Sequence, residues 1–285
     1  MIRLLLLCNI FALHSVYGND STVAQANNQW ESIQPILSNY DLNRTCCSDD
    51  QSSISAEPDY EYPYKHLKVV VVSDTHKVNQ QFQLLMDEPE YNKGDVFIHA
   101  GDFTSLGTSD EIVKFNTFLG KLKFRHKLVV AGHRELGFDP VEDLSLRAGD
   151  RTGRGTKNGF KYLTNARYLH DEAVVIDGVK FFGTPYHFQS GYPFYLDRNN
   201  KRELRAWNSI PRDVDVLITH SPPLGILDFD GKDHWGSHTL LWKDFQFKPH
   251  NYTTFINAAL EKPYSNSYYH GTDRKPFVFY VRSKN

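Results

Sequence analysis

Short continuous apolar runs and one helical stripe organise most of this chain. His66 to Ser73 (HLKVVVVS) is a β-branched run too short for a lone helix and too apolar for a sheet edge, so it predicts a strand covered on both faces. Asp95 to His99, Lys127 to Ala131 and Val214 to Thr219 repeat the pattern. Between the second and third runs, Thr108 and Glu111 have capping-box spacing, and Ile112, Phe115, Leu119 and Leu122 fall on one helical face. Ala173 to Ile176 and Val179 to Phe182 flank Asp177-Gly178, a strong hairpin pair. Thr253 to Asn257 and Pro276 to Val281 predict closing strands. Strands separated by helices early and hairpins late predict an α/β sandwich on mixed sheets.

The pattern before residue 63 differs. Arg3, the apolar stretch Leu4 to Leu13 and the small-residue site Val16-Tyr17-Gly18 predict a signal peptide over residues 1–18 and a secreted chain. That stretch is too short to span a bilayer, so no membrane association is expected once it is removed. Residues 19–62, rich in Asn, Ser, Gln and Asp, predict a loosely ordered polar leader, with only Trp30 to Leu37 hinting at an amphipathic turn. The folded domain is expected over residues 63–285. Sequons at Asn19, Asn43 and Asn251 fit a glycoprotein. Without Cys8, only the adjacent Cys46 and Cys47 remain, too few for a disulfide framework; they either link to another chain or stay as thiols.

Composition adds two limits. A chain of 285 residues, 40% hydrophobic and 23% charged, suits one globular domain with extra length, or two small ones. A formal net charge of -2 leaves no basic field for a nucleic-acid polymer.

Chemistry-bearing residues recur where the apolar runs stop. The four runs end in Ser73-Asp74-Thr75-His76, His99-Ala100-Gly101-Asp102, Gly132-His133-Arg134-Glu135 and His220-Ser221-Pro222-Pro223. In open α/β sheets the carboxyl ends of the strands converge on one crevice. Carboxylates and imidazoles delivered there together suit a divalent metal, and one carboxylate can bridge two ions.

The series SDTH, HAGD, AGHRE and THSPPLG resembles the calcineurin-like metallophosphoesterases, and more narrowly the small metallophosphoesterase-domain-containing proteins. HAGDFTSLG, ELGFDP, FFGTPYH, DVLITHSPPLG and NYTTFINAA extend the likeness from about residue 66 to the end. The resemblance implies a four-layer sandwich of two mixed β-sheets flanked by helices. It also implies a phosphodiesterase or phosphatase with two divalent ions (Mn, Fe, Zn or Mg) and a small phosphoester or cyclic-nucleotide-like substrate. By position, Asp74 and His76 would hold the first ion, Asp102 would bridge, and His220 would serve the second.

Two departures stand out. His133-Arg134 occupies the family's Asn-His pair, in a register set by Gly132 and Glu135. Imidazole at His133 could still ligate. Arg134 stands at the catalytic general-acid position but stays protonated at neutral pH. It would stabilise phosphoryl charge or pair with a carboxylate. The family's G-H-x-H segment has no counterpart between Leu241 and Asn251. One late strand is therefore expected to be missing, leaving one ion, or none, as open alternatives to two. His234, His238 and His250 lie nearby and read better as surface histidines than as substitutes. The enzyme reading therefore stands beside a non-catalytic one, in which the domain binds a ligand or protein.

Overall fold

The computed structural model describes residues 3–7, 65–198, 201–229, 233–241, 253–260 and 275–284. The polar leader, the cysteines, the asparagines of the three sequons and His250 lie outside the described residues.

Two five-stranded sheets face each other. The first is built on β2 (His66–Val72), β3 (Lys93–His99), β4 (Lys123–Val129) and β5 (Arg167–Tyr168), all parallel, with β10 (Phe277–Arg282) antiparallel along β2. The second holds β6 (Glu172–Ile176), β7 (Val179–Thr184), β8 (Val216–Thr219), β1 (Arg3–Leu7) and β9 (Thr253–Asn257), in that order across the sheet. The β6–β7 pair is the hairpin that Asp177-Gly178 predicted, and the other pairs in this sheet are parallel.

The apolar runs are continuous because both faces of the strands are covered. Along β2, Leu67, Val69 and Val71 face the other sheet, where they meet Phe181, Val216 and Ile218. Val70 and Val72 face outward onto Phe82, Ile112 and Phe115. Those residues come from α1 (Gln80–Met86) and α2 (Ser109–Lys121). The far face of the second sheet, through Phe182 and Leu217, packs on Trp207 of α3 (Lys201–Asn208) and on Leu240 and Leu241. The result is helix, sheet, sheet, helix, the expected four layers.

The α2 cap forms as its spacing predicted. Thr108 Oγ1 accepts the Glu111 N–H, and the Glu111 side chain accepts the Thr108 N–H in return. Strands β3 and β4 begin earlier than their apolar cores suggest, at Lys93 and Lys123. These two residues pair at the solvent end of the ladder, where exposure makes polar side chains acceptable.

A strand stands between β8 and β9, and it comes from the amino terminus. The backbone of Leu4, Leu5 and Leu6 pairs with Val216, Leu217 and Ile218, and that of Arg3 to Leu7 pairs with Thr253 to Asn257. This places part of the expected signal peptide, Arg3–Leu7, between β8 and β9 of the second sheet. Among the described residues, no helix is long and apolar enough to cross a membrane.

Candidate metal centre

The carboxyl ends of β2, β3 and β8 and the turn after β4 meet at one buried spot. The loops there are laced together by backbone. Asp74 N–H donates to Gly101 O at 3.0 Å, and His76 N–H donates to Asp102 O at 2.8 Å. Asp74, His76 and Asp102 all have left-handed backbone, with φ of 53°, 50° and 56°. Such conformations cost energy in non-glycine residues and persist where the surroundings over-determine them, commonly at functional sites. Three at one spot, all on the residues marked as ligands, is an arrangement that packing alone has no reason to produce.

Two ligand sets form, and they share one residue. Asp74, His76 and Asp102 bring one donor atom each within 4.8 Å of one another, and so do Asp102, His133 and His220. Asp102 is fully buried. Its Oδ1 accepts the Arg134 N–H at 2.9 Å. Its Oδ2 lies 3.0 Å from His133 Nδ1, yet has no partner in hydrogen-bond geometry. His220 Nδ1 sits 3.1 Å from Ala100 O, which can only accept, so that nitrogen carries the proton. The lone pair of His220 Nε2 therefore points inward, 3.2 Å from His133 Nδ1 and 3.4 Å from Asp102 Oδ1. Inward lone pairs around an under-satisfied buried carboxylate fit a divalent cation.

Charge follows the same pattern. Burial disfavours the charged form of Asp102, but His133, His220 and His76 outweigh it and hold the carboxyl well below its usual range. Burial pushes His133 down to about 4 and lowers His220, in both cases against the pull of Asp102. Neutral imidazoles around an ionised carboxylate are the protonation states that ligation requires.

Glu135 organises the loops beneath. Its carboxylate accepts Asp102 N–H at 3.0 Å, Gly132 N–H at 2.7 Å, and both Thr104 N–H and Thr104 Oγ–H at 2.9 Å. Burial, with the Asp102 charge beside it, pushes Glu135 up to about 8 against the bonds from Gly132 and Thr104. Gly132 is glycine because nothing larger fits: a Cβ there would lie 2.3 Å from Asp102 Oδ1 and 2.4 Å from His220 Cε1.

Arg134, at the general-acid position, is 9% exposed and places its guanidinium carbon 5.6 Å from the centre of the Tyr192 ring. Among the described residues it forms no ion pair with a carboxylate. Among the described residues neither His234 nor His238 enters a ligand cluster; His234 Nδ1 instead meets Asp228 Oδ1 at 2.8 Å. Phe182, Phe188 and Phe194 are buried in the core, and Tyr186 donates its hydroxyl to Asp171. Tyr192 borders the centre, its ring 5.2 Å from the His133 ring.

Two residues escape a reading of the sequence. His187 is buried 5.6 Å, ring to ring, from His133, but both its nitrogens serve its own loop: Nε2 donates to Pro193 O, and Nδ1 accepts the Gln189 N–H. His99 Nε2 lies 3.0 Å from Thr75 Oγ1 and steadies the loop carrying Asp74 and His76. Only the apolar run before His99 hinted at its burial.

Comparison with known proteins bears on this geometry. A family model described as calcineurin-like phosphoesterase matches residues 67–258. UPF0046 protein K07C11.7 of Caenorhabditis elegans is 40% identical, over 81% of this chain and 80% of its own length. UPF0046 protein C25E10.12 of the same organism is 40% identical, over 59% of this chain and 58% of its own. Metallophosphoesterase domain-containing protein 1 of Homo sapiens is 39% identical, over 59% of this chain and 52% of its own. The match thus spans little more than half the length of the latter two.

Proposed function

From the premise that the chain belongs to the calcineurin-like phosphoesterase family, we propose that it is a secreted phosphoesterase of small phosphodiesters, working at the centre built on Asp102. The observation that carries this reading is the sharing of one fully buried carboxylate between two ligand sets. Asp74 and His76 would hold one divalent ion, His133 and His220 the other, and Asp102 would serve both. His133 takes the place of an amide ligand, with its Nδ1 turned toward Asp102 and His220. When bound, such ions activate water and take up charge on phosphoryl oxygens.

The chain's own residues set the rest. Glu135 holds the Asp102 and Gly132 loops in register through four hydrogen bonds. An arginine side chain is no proton donor to a leaving group, so the Arg134 guanidinium acts on substrate charge. Loss of general-acid catalysis typically slows such steps by about 10²–10⁴. Slow turnover, fastest with substrates whose leaving groups need no proton, is the expected behaviour. The same feature favours the second reading, a binding module without turnover.

Metal analysis of purified protein, with a chromogenic phosphodiester assay in manganese, separates the two. Bound metal with turnover supports the enzyme. Fewer than one ion per chain and no turnover removes it, whereas bound metal without turnover leaves the binding module. Secretion rests on the amino-terminal pattern of Arg3, Leu4 to Leu13 and Gly18. Its test is recovery of the protein from culture medium with a new amino terminus near Asn19. Recovery only from cell lysate, with Met1 intact, overturns it.

A further inference from the structure

Beside the metal centre, two guanidinium groups lie over the Tyr192 ring and a third reaches the carbonyl next to it. Arg134 lies 5.6 Å and Arg151 4.4 Å from the centre of the Tyr192 ring, measured at Cζ. Arg147 and Arg151, carried by adjacent 3-10 turns at Leu144–Leu146 and Gly149–Arg151, both donate to Gly191 O, next to Tyr192. Arg147 also pairs with Glu142. Arg134 and Arg147 are not exposed surface cations. The Arg147 side chain is 8% exposed and Arg134 is 9% exposed, and neither has a partner for its Nε–H. Burial and the charge of Arg151 both work against Arg147 staying protonated. Gathering like charges in a half-buried place is costly, and an anionic group bound beside them offsets that cost.

We propose that Arg134, Arg147, Arg151 and Tyr192 form a shelf for a second anionic group of the substrate. It would be a phosphoryl group not itself cleaved, held while the scissile diester sits at the metal centre. The proposal rests on the phosphoesterase reading above. Tyr192 adjoins both the His133 ring (5.2 Å) and the Arg151 guanidinium (4.4 Å), so the shelf would hold its anionic group next to the one at the metal centre. A nucleotide phosphorylated on both sides of its sugar has that form. Guanidinium forks match phosphoryl oxygens in geometry as well as charge.

The test compares thymidine 5′-(p-nitrophenyl phosphate) with its 3′-phosphorylated form, using the manganese-loaded full chain. Wild type should prefer the doubly charged diester in kcat/KM, mainly through KM. Arg151→Ala should reduce that preference about tenfold, the worth of one charge-assisted contact. Arg151→Lys should keep an intermediate preference. In parallel, calorimetry should show thymidine 3′,5′-bisphosphate binding more tightly than thymidine 5′-phosphate to wild type, with the gap closed in Arg151→Ala. A merely structural role at Gly191 would slow both diesters equally and leave their ratio unchanged; that result, or equal binding of the two nucleotides to wild type, overturns the shelf. Arg151-dependent bisphosphate binding with neither diester turned over would instead leave the shelf standing and remove the phosphoesterase reading.

Discussion

Replacing Asp102 by Asn probes the centre most directly, because the structure assigns this carboxylate to both ligand sets. In the metal-free protein the change is mild. The amide oxygen can still accept the Arg134 N–H, but the ionised carboxylate that the surrounding histidines favour is gone, so the melting temperature should fall modestly below that of wild type. With metal the difference widens. An ion present at a hundredfold excess over its Kd stabilises by about 2.7 kcal/mol. For a domain of this size each kcal/mol is worth about 2–4 °C, so each ion should raise Tm by about 5–11 °C. Two ions should give about twice that in wild type. Asp74→Ala and His220→Ala each disturb one set and should each retain one ion and about half of the shift. Asp102→Asn should retain neither. Differential scanning calorimetry across a manganese titration, with metal content read by mass spectrometry, measures both quantities. An Asp102→Asn protein that still binds an ion with wild-type affinity would refute the shared-carboxylate geometry. So would single variants at Asp74 and His220 that each lose everything.

Three other outcomes follow from the same geometry. Gly132→Ala should abolish metal binding while leaving a folded protein, since its Cβ pushes on Asp102 Oδ1 and His220; unchanged metal content on elemental analysis contradicts the close approach. The metal-free protein should lose stability as pH falls from about 6.5 toward 4, because the unfolded chain takes up protons on histidines that His99 (down to about 3) and His133 (down to about 4) refuse when folded. Glu135, raised to about 8, acts in the opposite sense but is outnumbered, as His187 and His220 are lowered as well; urea midpoints that are flat or rising as pH falls through this window contradict the buried neutral imidazoles. A chain starting at Asn19 removes β1 and leaves the facing edges of β8 and β9 without their pairings, which should cost at least about 3 kcal/mol, or about 6–12 °C in Tm. Equal melting temperatures for the two chains would show that Arg3–Leu7 contributes nothing to the sheet.

Much of the scaffold follows from local rules that the sequence states openly. HLKVVVVS is a central strand because a run apolar at every position needs cover on both faces, and the two sheets and α2 supply it. Thr108 and Glu111 start α2 through hydrogen bonds that span three residues. Asp177-Gly178 turns the hairpin because the turn conformation needs those two residues alone. The candidate ligands were legible too, since each follows an apolar run and parallel strands carry their carboxyl ends to one place. The short helices α1 and α3 were not: α1 buries only Phe82 and Met86, too few apolar positions to set a period.

What only the tertiary structure decided is what depends on residues far apart in the chain. The left-handed backbone at Asp74, His76 and Asp102 is held by hydrogen bonds between loops. The tautomer of His220 is set by Ala100 O, a carbonyl 120 residues away. The cluster at Gly191 and Tyr192 draws Arg134, Arg147 and Arg151 from three turns that share no motif. The strand between β8 and β9 comes from the opposite end of the sequence. Periodicity and spacing report which face a residue presents to its own element. They carry no information about which distant group will meet it there, because that is settled by the packing of whole layers.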